Sequence, residues 1–110
     1  MATRSGVLAR WHSVVGTLIS PAFTVPVTDT WLLKELRVYN QTVAANILAA
    51  CGDGAGVEKA ILLVHNAAPI GSTDVVSMWL AMGPGDVVQF QSSQAGTYFY
   101  LSGADLPGHL

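Results

Sequence analysis

The sequence predicts an all-β fold, an antiparallel β-sandwich of jelly-roll or immunoglobulin-like type with an N-terminal arm. Three observations carry this. Short runs of β-branched and aromatic residues alternate with polar ones, Gly- and Pro-bearing turn signals recur about every eight to twelve residues, and strands do not alternate with long amphipathic helices.

Residues 1–11 hold Arg4 and Arg10 among small residues without a sustained period, so they read as an arm that orders against a neighbour. His12 to Ile19 and Ala22 to Val27 read as short strands split by Ser20-Pro21, the second closed by Pro26. Residues 1–20 are therefore expected to form the arm and first strand, and residues 21–110 the sandwich. Thr30 to Asn40 is the clearest strand. Strict alternation puts Leu32, Leu36 and Val38 on one face, and Leu33, Glu35, Arg37 and Tyr39 on the other, with Lys34 falling awkwardly on the apolar face.

Thr42 to Cys51 is alanine-rich and is read as a strand because its neighbours are strands. Gly52-Asp53-Gly54-Ala55-Gly56 follows as a hairpin loop. Val57 to Asn66 fits a strand buried on both faces or a short helix equally well by periodicity. Asp74 to Met82 alternates Val76, Met78, Leu80 and Met82 against Val75, Ser77, Trp79 and Ala81, and Gly83-Pro84-Gly85-Asp86 is a tight turn. Val87 to Ser92 turns Val88 and Phe90 one way and Gln89 and Gln91 the other. Thr97 to Ser102 likewise sets Phe99 and Leu101 against Tyr98 and Tyr100. A hairpin at residues 83–86 and a meander of the last three strands are expected.

At 110 residues the chain suits one domain that can bury a core without disulfides or metal. Charged residues are only 11% against 51% apolar, so some apolar surface is expected to meet another chain. A net charge of −2 with scattered Lys and Arg gives no footprint for a phosphate backbone, and nucleic acid is not an expected partner. The uncharged run from Trp11 to Thr28 is interrupted by His12, Pro21 and Pro26 and rich in Ser and Thr, which argues against a membrane span. Arg10 and His12 interrupt what a secretory leader would need. The single Cys51 cannot form an intrachain disulfide and reads as a small buried hydrophobe.

No catalytic, cofactor or metal site is expected. The Gly52–Gly56 cluster opens like a dinucleotide fingerprint, but Val57 stands where its third glycine must be. His12, His65 and His109 show no ligand spacing and no carboxylate nearby in sequence. Asp53, Asp74 and Asp86 sit at expected turns, where carboxylates bond the backbone. Asn40-Gln41-Thr42 matches a glycosylation sequon but lacks an export context. Trp31 and Trp79 are expected in the core, whereas Tyr98 and Tyr100 share one face of the last strand and divide evenly between an interface and cross-strand stacking. The expected interface residues are Arg4, Arg10, Trp11, Tyr98 and Tyr100. A carbohydrate- or receptor-binding module is the alternative, with Tyr98, Tyr100 and Trp79 stacking on sugar faces, as on a host surface glycan.

From Phe23 to Asn40, FTVPVTDTWLLKELRVYN, the chain resembles small β-sandwich structural proteins of tailed bacteriophages, which carry a V-P strand end, a polar turn and a W-x-V-K-x-I-x-V-x-N strand. Met82 to Val88 and Tyr100 to Ala104 extend the resemblance, which covers about residues 22–105. Val25, Pro26, Trp31, Leu36, Val38 and Asn40 match its strand positions, and Gly85 and Asp86 its turn. The resemblance implies a non-enzymatic virion protein made in the host cytoplasm, a minor tail component or capsid decoration subunit. It further implies a homo-oligomer, a trimer favoured, docked on other virion proteins and carrying no active site.

Overall fold

The computed structural model describes residues 4–53 and 58–107, without the side chains of Arg4, Glu58 and Lys59. Eight strands are present: β1 (Arg4–His12), β2 (Phe23–Thr24), β3 (Asp29–Asn40), β4 (Ala45–Gly52), β5 (Glu58–Ala68), β6 (Thr73–Met82), β7 (Val87–Ser92) and β8 (Thr97–Pro107). They form two antiparallel four-stranded sheets, in the orders β1-β8-β3-β6 and β2-β7-β4-β5. The first strand pairs with the last, the second with the seventh, the third with the sixth and the fourth with the fifth. This is a single long hairpin rolled up on itself, and it resolves the sandwich as a jelly roll.

That topology corrects the expected meander. Of strands adjacent in sequence, only β4 and β5 pair, with Gly52 opposite Glu58. The glycine loop expected there falls at residues 54–57, outside the described residues. The Gly83–Asp86 turn forms with its Asp86 N–H to Gly83 carbonyl bond (3.1 Å) and Gly85 at φ +84°, but it carries the chain from one sheet to the other. Val25 holds it there. The Val25 N–H donates to the Asp86 carbonyl (2.8 Å) and the Gly85 N–H to the Val25 carbonyl (3.0 Å).

Two β-bulges account for the other departures. In β3 the pairing shifts between Leu33 and Glu35, so Lys34 is an extra residue and the inward face changes phase. Trp31 and Leu33 point inward before it, Leu36, Val38 and Asn40 after it, and Lys34 is exposed. Leu33, expected outside with Arg37, is fully buried, and Leu32 is only half-buried. In β1 the shift lies between Val7 and Ala9 and interrupts the alternation of residues 4–12. Residues 4–11, within the stretch expected to order only against a neighbour, pair along β8 of their own chain. His12 to Ile19 is not a continuous strand. Beyond His12 it makes a Val14–Thr17 turn through Gly16 (φ +86°) and one bridge from Ile19 to Gln91.

The core lies between the sheets. Phe90 of β7 and Phe99 of β8 stack with centroids 4.9 Å apart, flanked by Phe23 and Trp11 and enclosed by Leu33, Leu36, Val38, Ile47, Ala49, Val88 and Leu101. β5 is a strand, not a helix, at the edge of its sheet. Gly103 of β8 lies against the β3 bulge. A Cβ there would fall onto the Leu32 carbonyl oxygen, so only glycine lets the two backbones approach.

Candidate interaction surfaces

The outward residues of the β1-β8-β3-β6 sheet form two cross-strand rows. Arg10, Tyr100, Arg37 and Val75 lie abreast in one, and His12, Tyr98, Tyr39 and Thr73 in the next. Side chains directly opposite in antiparallel strands stand close enough to touch. The His12 and Tyr98 rings stack at 4.9 Å with 16° between planes. Tyr39 and Tyr100 keep 40% and 42% of their surface exposed. Arg37 donates from Nε to Glu35 Oε1 (2.7 Å), an exposed pair, and Lys34 Nζ lies 5.5 Å from the Trp79 ring centroid. No acidic partner of Arg10 occurs among the described residues.

At the free edge of β1 this face opens into a groove of about 540 Å³ lined by Arg10, Trp11, His12, Val14, Tyr98 and Tyr100. Four of the five residues expected at an interface therefore meet at one place. Trp11 differs from the others in projecting inward, where it packs on Phe99 at 5.7 Å. Arg4 is at the opposite end of β1, beside Asp105, about 20 Å away along the strand, and its side chain lies outside the described residues. His12 and Val14 were not among the expected interface residues. Period-two continuation from Arg10 would have found His12, while Val14 enters only through the turn after β1.

Trp79, expected in the core, is 78% exposed on β6, two strands from β8 and about four residues along from Val75. One sugar ring cannot touch both it and Tyr100. Trp31 is buried as expected.

The outer face of the other sheet has a different character. Ile19, Gln91, Leu48 and Val64 form one row across it, and Gln89, Ala50 and Ile61 the next. Ile19, Val64 and Ile61 are 53%, 54% and 47% exposed. Among the described residues no charged side chain projects from this face.

The titratable groups are placed as follows. His65 of β5 meets Asp74 of β6 across the sandwich edge, Nδ1 to Oδ2 2.7 Å, so this histidine has a carboxylate neighbour in space that the sequence did not indicate, and Asp74 lies in a strand. Asp86 does bond its turn, accepting the Gly83 N–H at 3.0 Å. Cys51 is buried, and burial first, then the Asp86 carboxylate, pushes its thiol up from the ordinary value. Asn40 is fully buried, which puts the sequon out of reach in the folded chain. His109 lies outside the described residues. Among the described residues no group of three or more His, Cys, Asp or Glu comes together to hold a metal.

The eight-stranded jelly roll defines the class of fold, and solved structures share it. The chain is similar to the Drosophila NLP core, a structure that addresses pentamer formation and histone binding, with TM-score 0.56 and 9% identity over 94% of this chain and 97% of that one. It is also similar to a pentameric capsid protein from metagenomic phage sequences, with TM-score 0.52 and 14% identity over 98% of this chain and 66% of the other. A third is the protein of T=1 particles derived from infectious bursal virus, with TM-score 0.52 and 12% identity over 97% of this chain but 32% of that one. No protein-family model matches the chain, and no curated protein matches it significantly. At such identities the likeness establishes the fold.

Proposed function

We propose that this chain is a non-enzymatic structural subunit of a bacteriophage virion, a minor tail component or capsid decoration protein that acts as a homo-oligomer docked on a larger virion protein. The observation that carries the reading is the outer face of the β2-β7-β4-β5 sheet, which among the described residues bears no charge, with Ile19, Leu48, Ala50, Ile61 and Val64 set among glutamines. Burying an uncharged face costs no ion desolvation, and interface centres are depleted of charge in this way. Two jelly rolls of similar fold occur in a pentameric phage capsid protein and a viral T=1 particle, which supports a virion role. The phage resemblance implies a trimer, whereas two of the similar structures are described in terms of pentamers, so subunit number is the quantity to measure.

Light scattering on the full chain and on Val64→Asp and Ile61→Lys variants tests this. Both positions are about half exposed, so the variants are expected to keep the parent's circular dichroism while its oligomer dissociates. A parent that stays monomeric at high concentration, or variants that assemble unchanged, would overturn the reading. Removal of residues 1–20 is a poor test, because it takes away β1 and uncovers the edge of β8.

A further inference from the structure

We infer that the groove at the edge of β1 is a binding site for a carboxylate-bearing saccharide, held by Arg10 against the aromatic wall of His12, Tyr98 and Tyr100. The charge pattern comes first. Of the three described cationic side chains on this face, Arg37 is occupied by Glu35 and Lys34 lies against Trp79, which leaves Arg10 with no acidic partner among the described residues. A guanidinium takes a carboxylate in two parallel hydrogen bonds, and its planar geometry favours that group over a hydroxyl.

The walls supply the rest of the chemistry. His12 and Tyr98 stack face to face, which fixes both rings in the groove wall, and Tyr100, directly opposite Arg10, keeps 42% of its surface open. Pyranose rings lay their C–H faces on such rings while tyrosine hydroxyls exchange hydrogen bonds with sugar hydroxyls. Size narrows the occupant further. A groove of about 540 Å³ accommodates a mono- or disaccharide, whereas a stable protein partner needs roughly 800 Å² on each side. A nucleic-acid strand would need a track of several free cations, and among the described residues this face offers one. The groove is on the sheet opposite the β2-β7-β4-β5 face, so assembly through that face leaves it open.

The test is isothermal titration, with the Trp11 indole N–H followed by NMR, using N-acetylneuraminic acid and glucuronate against the neutral sugars N-acetylglucosamine and glucose. The Trp11 signal is assigned by a Trp11→Phe variant. The acids are expected to bind with roughly millimolar dissociation constants and at least about tenfold more tightly than the neutral sugars, with perturbation of Trp11. Arg10→Ala should abolish the preference for acids, and Tyr100→Ala should weaken acidic and neutral sugars alike. Rising salt should weaken the acids only. Equal binding of acids and neutrals, no binding of any sugar at about 50 mM, or Arg10-dependent binding of polyglutamate or an oligonucleotide without saccharide binding would overturn the inference. Repeating the titration on the Val64→Asp variant keeps this outcome separate from that of the assembly reading.

Discussion

Replacing Asn40 by aspartate changes one amide into a carboxyl at a fully buried position and should make the stability of this protein depend on pH. The Asn40 side chain ties three segments together. Its two Nδ2 hydrogens are shared among the carbonyls of Ala68 (2.8 Å), Val43 (3.1 Å) and Pro69 (3.3 Å), while Oδ1 accepts from the Thr42 N–H (3.2 Å) and the Thr97 hydroxyl (3.4 Å). An ionised aspartate donates nothing and sets a charged oxygen among those three carbonyls. Each buried group left unpaired costs about 1–3 kcal/mol, so two lost donations come to about 2–6 kcal/mol, a large part of the 5–15 kcal/mol expected for a domain. Burial and the facing carbonyls raise the folded-state pKa of this carboxyl above its unfolded value near 3.9. Its protonated form, which can donate to one carbonyl, is therefore favoured by folding. The associated stability is full below the unfolded pKa and is lost as pH rises through the folded one. Guanidinium unfolding followed by tryptophan fluorescence should show a deficit of about 2–6 kcal/mol at pH 7.5 that narrows toward pH 4. Asn40→Ala, which loses the same donations without adding a charge, should also show a deficit of about 2–6 kcal/mol, but without that slope. A cost below about 1 kcal/mol for Asn40→Asp, or one flat with pH, would refute the account of this hub.

Gly103→Ala should destabilise by about 3 kcal/mol or more, since its Cβ meets the Leu32 backbone and no side-chain rotation relieves it, whereas Gly83→Ala, whose Cβ has only Asp86 at 4.0 Å, should change the unfolding midpoint little. Cys51 should react with a thiol reagent far more slowly in the folded chain than in denaturant. Because its folded pKa is raised, the stability linked to the thiol is full below the ordinary thiol range and is lost as pH rises through the folded value. Alkaline unfolding curves should show this loss in the parent and lack it in Cys51→Ala.

Class and strands were legible because alternation is a local property. Val88 and Phe90 point in while Gln89 and Gln91 point out, as their spacing required, and the same holds for Phe99 and Leu101 against Tyr98 and Tyr100. Pairing was not legible, because a rolled hairpin joins strands far apart in sequence, and a turn such as Gly83–Asp86 has the same local chemistry whether its strands share a sheet or leave it. The candidate groove was partly legible. Arg10, Trp11, Tyr98 and Tyr100 could be singled out by type, but their meeting depends on the β1–β8 register. Trp79 was misplaced because alternation puts it with Val75 and Ser77, which are also outside, while its apolar character suggested burial. Lys34, the near neighbour that explains an exposed tryptophan, is brought there by a bulge.

The bulges themselves follow from one geometric fact about β8. Where β8 advances one residue, from Ser102 to Gly103, β3 advances two, from Glu35 back to Leu33, and β6 advances three, from Ser77 to Leu80. On its other side, β1 takes two residues, from Val7 to Ala9, against the single step from Ser102 to Leu101. The extra residues on both sides therefore collect at one level of the sheet, so the flanking strands take the longer path around a bend with β8 on its inside. That is why the glycine is at 103, where the β3 backbone comes closest. It also explains why an apparently misplaced lysine costs the core nothing: the phase change at Lys34 returns Leu36 and Val38 to the interior on one side while keeping Leu33 there on the other. A bulge in β3 alone would have set its upper half out of register with both neighbours. The matching irregularities in β1 and β6 keep the strands' apolar residues on the inner face, and the same phase on the outer face sets Arg10 abreast of Tyr100 and Arg37.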